Sequence, residues 1–294
     1  AARRRAEALG LDADALSGTG VDGAVTLADV ELAASRPRLA VAAASAAGVP
    51  HVASSVAADA AATTAGRVPR GGFDPALMRQ AIAAAMGRSK REIPHYYLQA
   101  TVDFAAAQAW LEAYNAERLP AERLLPAVLL LKASARALVE VPQLNGFWEE
   151  GRFRPGAGVH VGWAIALRGG GLVAPAIRDA DRKTLPDLMA ALRDLVQRAR
   201  TGGLRSSELT DPTITVTSLG DRGAESVLGV IYPPQVAIVG FGRVVERPWV
   251  VGGAVVPRPL VALTLAGDHR ASDGHVGGQL LAGIDRALQS PETL

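Results

Sequence analysis

Residues 260–275 read LVALTLAGDHRASDGH, an apolar run that gives way to a polar loop ending in glycine. The apolar half predicts a buried strand, and Gly274 opens an amphipathic pattern that predicts a final helix. His269 therefore lies where a strand ends and a loop begins. An imidazole there is presented to a cleft, and its ordinary pKa near 6.5 suits removal of a proton from a thiol or hydroxyl at neutral pH.

Asp273 follows His269 by four residues. A carboxylate at this spacing either orients the imidazole or organises the loop through an arginine such as Arg270. The alternative interpretation is an ordinary loop that contains one histidine and a few charges, so the surrounding sequence has to decide.

The segments around this loop predict one large α/β domain over residues 73–294. Asp74 and Pro75 have the pattern of a helix start, and Thr184 caps an amphipathic helix that ends at Gly202. Helices are expected at 75–92, 105–118, 125–141, 185–201 and 274–289, and strands at 96–103, 160–167, 172–177, 213–219, 235–245, 249–251 and 254–265. Because helices and strands do not alternate regularly, we predict a two-layer α/β (α+β) fold with a mixed sheet, and a doubly wound nucleotide fold is disfavoured.

Two shorter zones precede this domain. Residues 1–34 predict a small helical module with a tight loop at 18–23, too small to be more than a minimal binding unit. Its exposed side is expected to carry Arg3, Arg4 and Arg5, either as a partner-binding face or as a solvated basic helix end. Residues 35–72 are mainly Ala, Ser, Thr, Val, Gly and Pro, which predicts a flexible linker.

Composition excludes several classes of function. The 31 Lys and Arg against 29 Asp and Glu give a formal charge of only +2, which does not indicate a nucleic-acid or membrane-surface partner. No cysteine is present, so disulfides, thiolate nucleophiles and cysteine-based metal sites are excluded, and we predict no metal site. The uncharged stretch 39–58 is too weakly hydrophobic to span a membrane. We expect a soluble, cytoplasmic protein.

The four remaining histidines give weaker signals. His51, His160 and His275 are expected to be incidental, whereas His95 follows Pro94 at a helix-to-strand corner and lines either a pocket or the surface.

The loop at 268–274 resembles the DHRxxDG signature of the dihydrolipoamide acyltransferases, the core components of 2-oxo acid dehydrogenase complexes. Further matches follow in family order: Met78-Arg79, Ile82-Ala83, Met86, Ser89-Lys90, Ile93-Pro94-His95-Tyr96, Pro142-Gln143-Leu144-Asn145, and the segments 171–175, 177–183, 215–220 and 234–237. Residues 2–33 resemble the peripheral subunit-binding domain of the same family. The resemblance implies a chloramphenicol-acetyltransferase-like catalytic domain at 73–294, preceded by a subunit-binding domain at 1–34 and a linker at 35–72.

The resemblance also implies roles for individual residues. His269 becomes the general base toward the thiol of CoA, or of dihydrolipoamide in the reverse direction. Thr217, followed by Ser218, matches the hydroxyl that stabilises the tetrahedral oxyanion, and Thr217 is preferred as the first of the pair. From the residues alone, the favoured interpretation of Thr217 is a β-branched strand residue with Thr213 and Thr215 on the same face. Asp273 is assigned to support of the site.

Substrate contacts and assembly follow from the same resemblance. Arg79, Ser89 and Lys90 lie in the early helix, either against the CoA phosphates or as helix-surface groups, and His95 and Ser218 complete the expected substrate contacts. Family active sites lie between neighbouring subunits of a trimer, so His269 and Thr217 are expected from different chains of a homotrimer. CoA and the lipoyl arm would enter the shared tunnel from opposite ends. The short, weakly apolar end at 290–294 makes a trimer a safer expectation than a larger core.

The lipoyl group is expected on a lipoyl domain that this chain does not show. The only lysines of this chain, Lys90, Lys132 and Lys183, all fall in the catalytic region, so none of them can carry the lipoyl group. Because the first predicted helix starts at Ala1 without a lead-in, the chain is expected to be a fragment of a longer protein. The expected partners are dihydrolipoyl dehydrogenase, the thiamine-dependent decarboxylating component, or both. Two alternatives stay open: a non-catalytic scaffold, and an acyltransferase that uses another acceptor. The acyl group is not identified, although acetyl or a small branched group is favoured over succinyl.

Overall fold

The computed structural model describes residues 75–167, 170–220 and 223–294, together with Ala2, Ala6, Thr26 and Val30. Contacts between residues divide the chain into two units, Ala1–Val68 and Pro69–Leu294. The predicted partner-binding residues Arg3, Arg4 and Arg5, the 18–23 loop and the 35–72 linker lie outside the described residues. The predicted domain boundaries therefore stay a prediction.

The second unit contains six helices and eleven strands within its described residues. The helices are α1 (Pro75–Glu92), α2 (Ala105–Ala116), α3 (Pro126–Glu140), α4 (Leu185–Thr201), α5 (Ser206–Thr210) and α6 (Gly274–Gln289), with short 3-10 turns at Pro142–Leu144 and Pro291–Thr293. The strands are β1 (His95–Asp103), β2 (Gly146–Glu149), β3 (Arg152–Pro155), β4 (Val161–Trp163), β5 (Ile165–Ala166), β6 (Leu172–Val173), β7 (Ala176–Ile177), β8 (Ile214–Ser218), β9 (Ala237–Phe241), β10 (Val245–Val251) and β11 (Ala254–Asp268).

The main sheet is mixed, as predicted. Its strand order is β1-β11-β9-β8-β4-β7, and β10 pairs with the first half of β11 to form a hairpin. Strands β8 and β9 are parallel, as are β4 and β8, whereas β11 runs antiparallel to both β1 and β9. The 15-residue strand β11 is thus the element that carries the chain from the hairpin through the sheet to His269.

Helices α3, α4 and α6 form a layer against this sheet. Helix α3 lies between the other two and buries most of its residues, so its apolar sequence reflects a central position. Gly283 of α6 faces Ala137 of α3, where an added methyl group would lie 3.1 Å from the alanine side chain. This close packing holds α6, and hence the loop that precedes it, in a fixed position on the sheet.

Local sequence signals set several element ends correctly. The Thr184 hydroxyl accepts a hydrogen bond from the Asp187 N–H at the start of α4, and Gly202 ends the helix in the left-handed region with φ of 76°. Other boundaries were wrong. The predicted strand at 160–167 is two strands, because the N–H of Ala164 turns to the Val216 carbonyl while β5 pairs with β6 in a separate hairpin.

Three further strand predictions differ from the structure, again because neighbouring segments pair with different partners. The predicted strand at 172–177 is divided into β6 and β7, which belong to different sheets. The predicted strand at 235–245 is β9 followed by the start of β10, and the β2–β3 hairpin was missed. Alternation of apolar residues indicates that a segment is extended, but it does not say which neighbour the segment pairs with.

Candidate active site

His269 follows the last residue of β11 directly and is exposed. Its backbone N–H donates to the carbonyl of Pro94, just before β1 begins, at 3.0 Å. The backbone of His269 is therefore fixed where the start of β1 pairs with the end of β11. Its ring lies 5.3 Å from the Tyr96 ring, centroid to centroid, in a T-shaped arrangement. Within the described residues, no hydrogen bond occupies either nitrogen of the ring, so the nitrogen without a hydrogen is open to accept a substrate proton.

The two acidic residues of the loop have separate structural roles. Asp268 is fully buried and forms a bidentate pair with the Arg270 guanidinium, with contacts of 2.6 and 2.9 Å. Arg270 in turn lies over the Trp148 ring at 4.9 Å. The loop is therefore organised by an arginine, as one of the two interpretations proposed, but through Asp268 instead of Asp273.

Asp273 caps the final helix. Its carboxylate accepts a hydrogen bond from the Val276 N–H at 3.0 Å, and this bond lowers the pKa of the carboxyl below its usual value. Among the described residues it makes no hydrogen bond to the His269 ring. Asp273 thus supports the site by fixing where the helix starts.

Tyr96 is the neighbour of His269 that sequence analysis did not assign to the site. Its hydroxyl shares a hydrogen bond of 2.8 Å with the Ser272 hydroxyl, and burial raises the pKa of the phenol. In the strand register Tyr96 lies opposite Gly267. Gly267 lies two residues before the candidate histidine, and a large aromatic residue opposite a glycine at that place is the signal that would have identified Tyr96.

Thr217 lies in β8, where it pairs with Gly240 of β9. The residues two and four positions before it use their hydroxyls within the core: Thr215 donates to Gln235 at 2.7 Å and Thr213 to Asn145 at 2.5 Å. Ser218 accepts a weak hydrogen bond from the Gly220 N–H at 3.4 Å. In the described part of the chain neither the Thr217 hydroxyl nor the Ser218 hydroxyl donates a hydrogen bond, so both are available as donors at the end of this strand.

One chain does not bring Thr217 and His269 together. In the strand register, Thr217 of β8 lies opposite Gly240 of β9, and Gly240 lies opposite Thr264 of β11. Thr264 is five residues before His269. Five residues of strand span roughly 17 Å, and two strand spacings add about 10 Å across the sheet, so the two backbones are ~20 Å apart. Two side chains cannot bridge this distance to act on one atom.

The expected CoA contacts divide into two kinds. Ser89 is fully buried and donates to the Ile231 carbonyl at 2.6 Å. The Ile231 N–H donates to Nε2 of His95 at 3.2 Å, so Nδ1 of that ring carries the proton and donates to the Ile93 carbonyl at 2.9 Å. Ser89 and His95 therefore hold the backbone at Ile231. Lys90 and Arg79, by contrast, are exposed.

Lys90 donates to the Tyr97 hydroxyl and lies 5.2 Å from the centre of that ring.

The histidines expected to be incidental bond groups outside the site. His160 accepts a hydrogen bond from the Asp179 N–H, and His275 shares one with the Gln279 side chain. In the described ranges, no three His, Cys, Asp or Glu residues are grouped as metal ligands would be. None of the described helices has the length and apolarity needed to cross a membrane.

Both parts of the chain match models of known protein families. Residues 75–294 match the model of the catalytic domain of 2-oxoacid dehydrogenase acyltransferases, and residues 1–31 match the e3 binding domain. The chain belongs to the 2-oxoacid dehydrogenase acyltransferase family. It is an acyltransferase, and both resemblances predicted from the sequence are confirmed.

Individual relatives cover nearly the whole of this acyltransferase. It is 34% identical to the dihydrolipoyllysine-residue acetyltransferase component of the pyruvate dehydrogenase complex of Staphylococcus aureus, over 99% of this chain and 69% of the relative. A solved structure of the Azotobacter vinelandii dihydrolipoamide acetyltransferase has a TM-score of 0.69 and 27% identity, over 84% of this chain and 99% of the other. The residues with a role in the catalytic mechanism of that enzyme include a serine, a histidine 52 positions later and an asparagine four positions further on.

The structure of a cubic core of a pyruvate dehydrogenase complex gives the same values, with a TM-score of 0.69, 27% identity and coverage of 84% and 99%. The fold of this chain is therefore that of a core acyltransferase.

Proposed function

We propose that this acyltransferase moves an acetyl group between the dihydrolipoyl group of a lipoyl domain and CoA, within a 2-oxo acid dehydrogenase complex. The observation that carries the proposal is a shared spacing: Thr217, His269 and Asp273 are separated by 52 and four residues. The serine, histidine and asparagine of the Azotobacter vinelandii enzyme have the same separations. Acetyl is favoured because the relatives are acetyltransferases.

His269 acts as the general base in this proposal. Its imidazole takes the proton from the CoA thiol, and the resulting thiolate attacks the carbonyl carbon of the acyl-dihydrolipoyl thioester. The carbonyl oxygen becomes an oxyanion that accepts a hydrogen bond from the Thr217 hydroxyl. When the tetrahedral intermediate collapses, the bond to the dihydrolipoyl sulfur breaks and that sulfur recovers the proton from the imidazolium. The result is acetyl-CoA and free dihydrolipoamide.

We also propose that each site takes His269 from one protomer and Thr217 from its neighbour in a homotrimer. The separation of ~20 Å within one chain, worked out from strand spacings, supports this arrangement. Arg79 and Lys90 are two of the exposed cations of α1, and in this proposal they contact the CoA phosphates. Ser89 and His95 would contribute through the backbone at Ile231. Trimers would be detected by sedimentation of the purified protein, and a larger core by a faster species.

The test is acetyl transfer between acetyl-CoA and free dihydrolipoamide by the purified protein. We expect His269→Ala to lower kcat about 1,000-fold, as removal of a general base does. His275→Ala is the matched control, since it removes an exposed imidazole six residues away and should leave kcat within about twofold. A His269→Ala variant with the wild-type rate would overturn the general-base assignment.

An acyltransferase that uses another acceptor would give a different result in the same assay. It would be inactive with dihydrolipoamide and active with a hydroxyl or amine from an acceptor panel.

The N-terminal match supports a partner role. We propose that residues 1–31 bind dihydrolipoyl dehydrogenase, with the thiamine-dependent component as the alternative, through Arg3, Arg4 and Arg5 facing carboxylates. Replacing these arginines by glutamate should weaken binding at least tenfold and remove most of its salt dependence. Unchanged affinity would exclude an arginine-mediated contact.

We also propose a cytoplasmic location, where CoA is available. Cell fractionation would test it.

A further inference from the structure

The Tyr96 side chain packs against two glycines, Gly267 and Gly277, which leave room for its ring and hydroxyl. A methyl group added to Gly267, its partner across the strand pair, would lie 2.4 Å from the phenol ring. A methyl group on Gly277 of α6 would lie 2.9 Å from the phenol oxygen. Both distances are shorter than real carbon contacts. A side chain at 267 would therefore displace the ring, and one at 277 would press on the phenol oxygen as well as on Leu98 and Leu265.

The tyrosine connects three elements around His269. Its backbone belongs to β1, its ring crosses the end of β11 at Gly267, and its hydroxyl reaches Ser272 in the loop that carries His269. The same ring forms the T-shaped contact of 5.3 Å with the imidazole. The backbone of His269 is fixed by Pro94, and in the described residues Tyr96 is the aromatic ring that contacts the imidazole.

We propose that Tyr96 is a positioning residue for His269: its ring restrains the imidazole, and its hydrogen bond to Ser272 holds the ring against the loop. The inference rests on the proposed general-base role of His269. A base that must meet a thiol proton at hydrogen-bond distance loses rate steeply when it is misplaced by about 1 Å. The restraint therefore acts on kcat, whereas binding of either substrate does not require it.

The experiment compares three variants in the acetyl-transfer assay. Tyr96→Phe and Ser272→Ala each remove the same hydrogen bond, and each should lower kcat about three- to tenfold with KM for CoA and dihydrolipoamide unchanged. The double variant should be no slower than either single variant, because both changes break one bond. Tyr96→Leu, which also removes the ring, should lower kcat at least 30-fold if misplacement costs rate as expected.

Tyr114→Phe is the matched control, because it removes a hydroxyl from another half-buried tyrosine, on α2 and away from the loop. Its kcat should equal that of the wild type. Wild-type kcat in both Tyr96→Phe and Ser272→Ala would overturn the inference, as would losses that multiply in the double variant. These two variants keep the test decisive if Tyr96→Leu does not fold.

The outcome also separates this inference from the function on which it rests. If His269→Ala is inactive while the Tyr96 and Ser272 variants match the wild type, the inference alone fails. If His269→Ala retains full activity, the proposed base fails first.

Discussion

Complementation between two inactive variants tests whether the active site is shared between chains. His269→Ala lacks the proposed base and Thr217→Ala lacks the proposed oxyanion donor. Within one chain these residues lie ~20 Å apart by strand geometry, whereas reacting atoms must come within about 3.5 Å of each other. A site built from one chain therefore cannot use both, and a site between two chains can.

The expected activity follows from counting sites in a cyclic trimer. Each of its sites takes the histidine from one protomer and the threonine from the next. A trimer that contains both variants, in either ratio, has one contact in which an intact His269 meets an intact Thr217. Mixed trimers should therefore have about one third of the wild-type kcat per trimer, and a mixed dimer would have about one half.

The assay co-expresses the two variants with different affinity tags and isolates assemblies that carry both. Acetyl transfer is then measured against wild-type protein with the same tags, and against each variant alone. The reference variants should have less than about 1% of wild-type activity, since loss of the donor or the base costs 100-fold or more. Mixed assemblies no more active than the average of the two variants would refute the shared site.

Three further predictions concern single residues. Thr217→Ala should lower kcat about 100-fold and Thr217→Ser should restore it to within about threefold, since serine keeps the donating hydroxyl; equal losses in steady-state assays would contradict the role. Asp273→Ala should lower Tm, whereas Asp273→Asn, which still caps α6, should not. Because the helix N–H groups lower the pKa of Asp273, its stabilisation is present above the usual carboxyl value of 3.8 and is lost as pH falls through the lowered pKa, so melting curves of wild type and Asp273→Ala should converge in acid. Arg270→Ala should lower the free energy of unfolding in urea by about 3 kcal/mol, because it leaves the buried Asp268 carboxylate unpaired; adding Asp268→Asn should recover part of this loss.

The sequence predicted those parts of the fold that depend on local chemistry. Thr184 and Gly202 fixed the ends of α4 because a cap and a left-handed stop act within a few residues. The division of the 160–167 strand was not predictable, since it depends on Val216, about fifty residues away. Alternation alone does not contain that information.

The same limit applied to the site. His269 was identified from its strand-end position and its motif. The partner of Asp273 was left open, and the structure gives it to the Val276 N–H. Ser89 and His95 were expected to face substrate, yet both bond Ile231, more than 130 residues further along the chain. A polar side chain has a recognisable chemistry in sequence, but its partner is set by tertiary packing.

The arrangement of charges around His269 explains why the motif needs two acidic residues that do not touch the imidazole. Asp268 is paired with Arg270, and Asp273 accepts a hydrogen bond from the Val276 N–H at the start of α6. In the described residues neither carboxylate forms a hydrogen bond with the imidazole, so neither one fixes the orientation of the ring. The Tyr96 ring, which lies against Gly267 and is bonded to Ser272, is the uncharged group in contact with the imidazole.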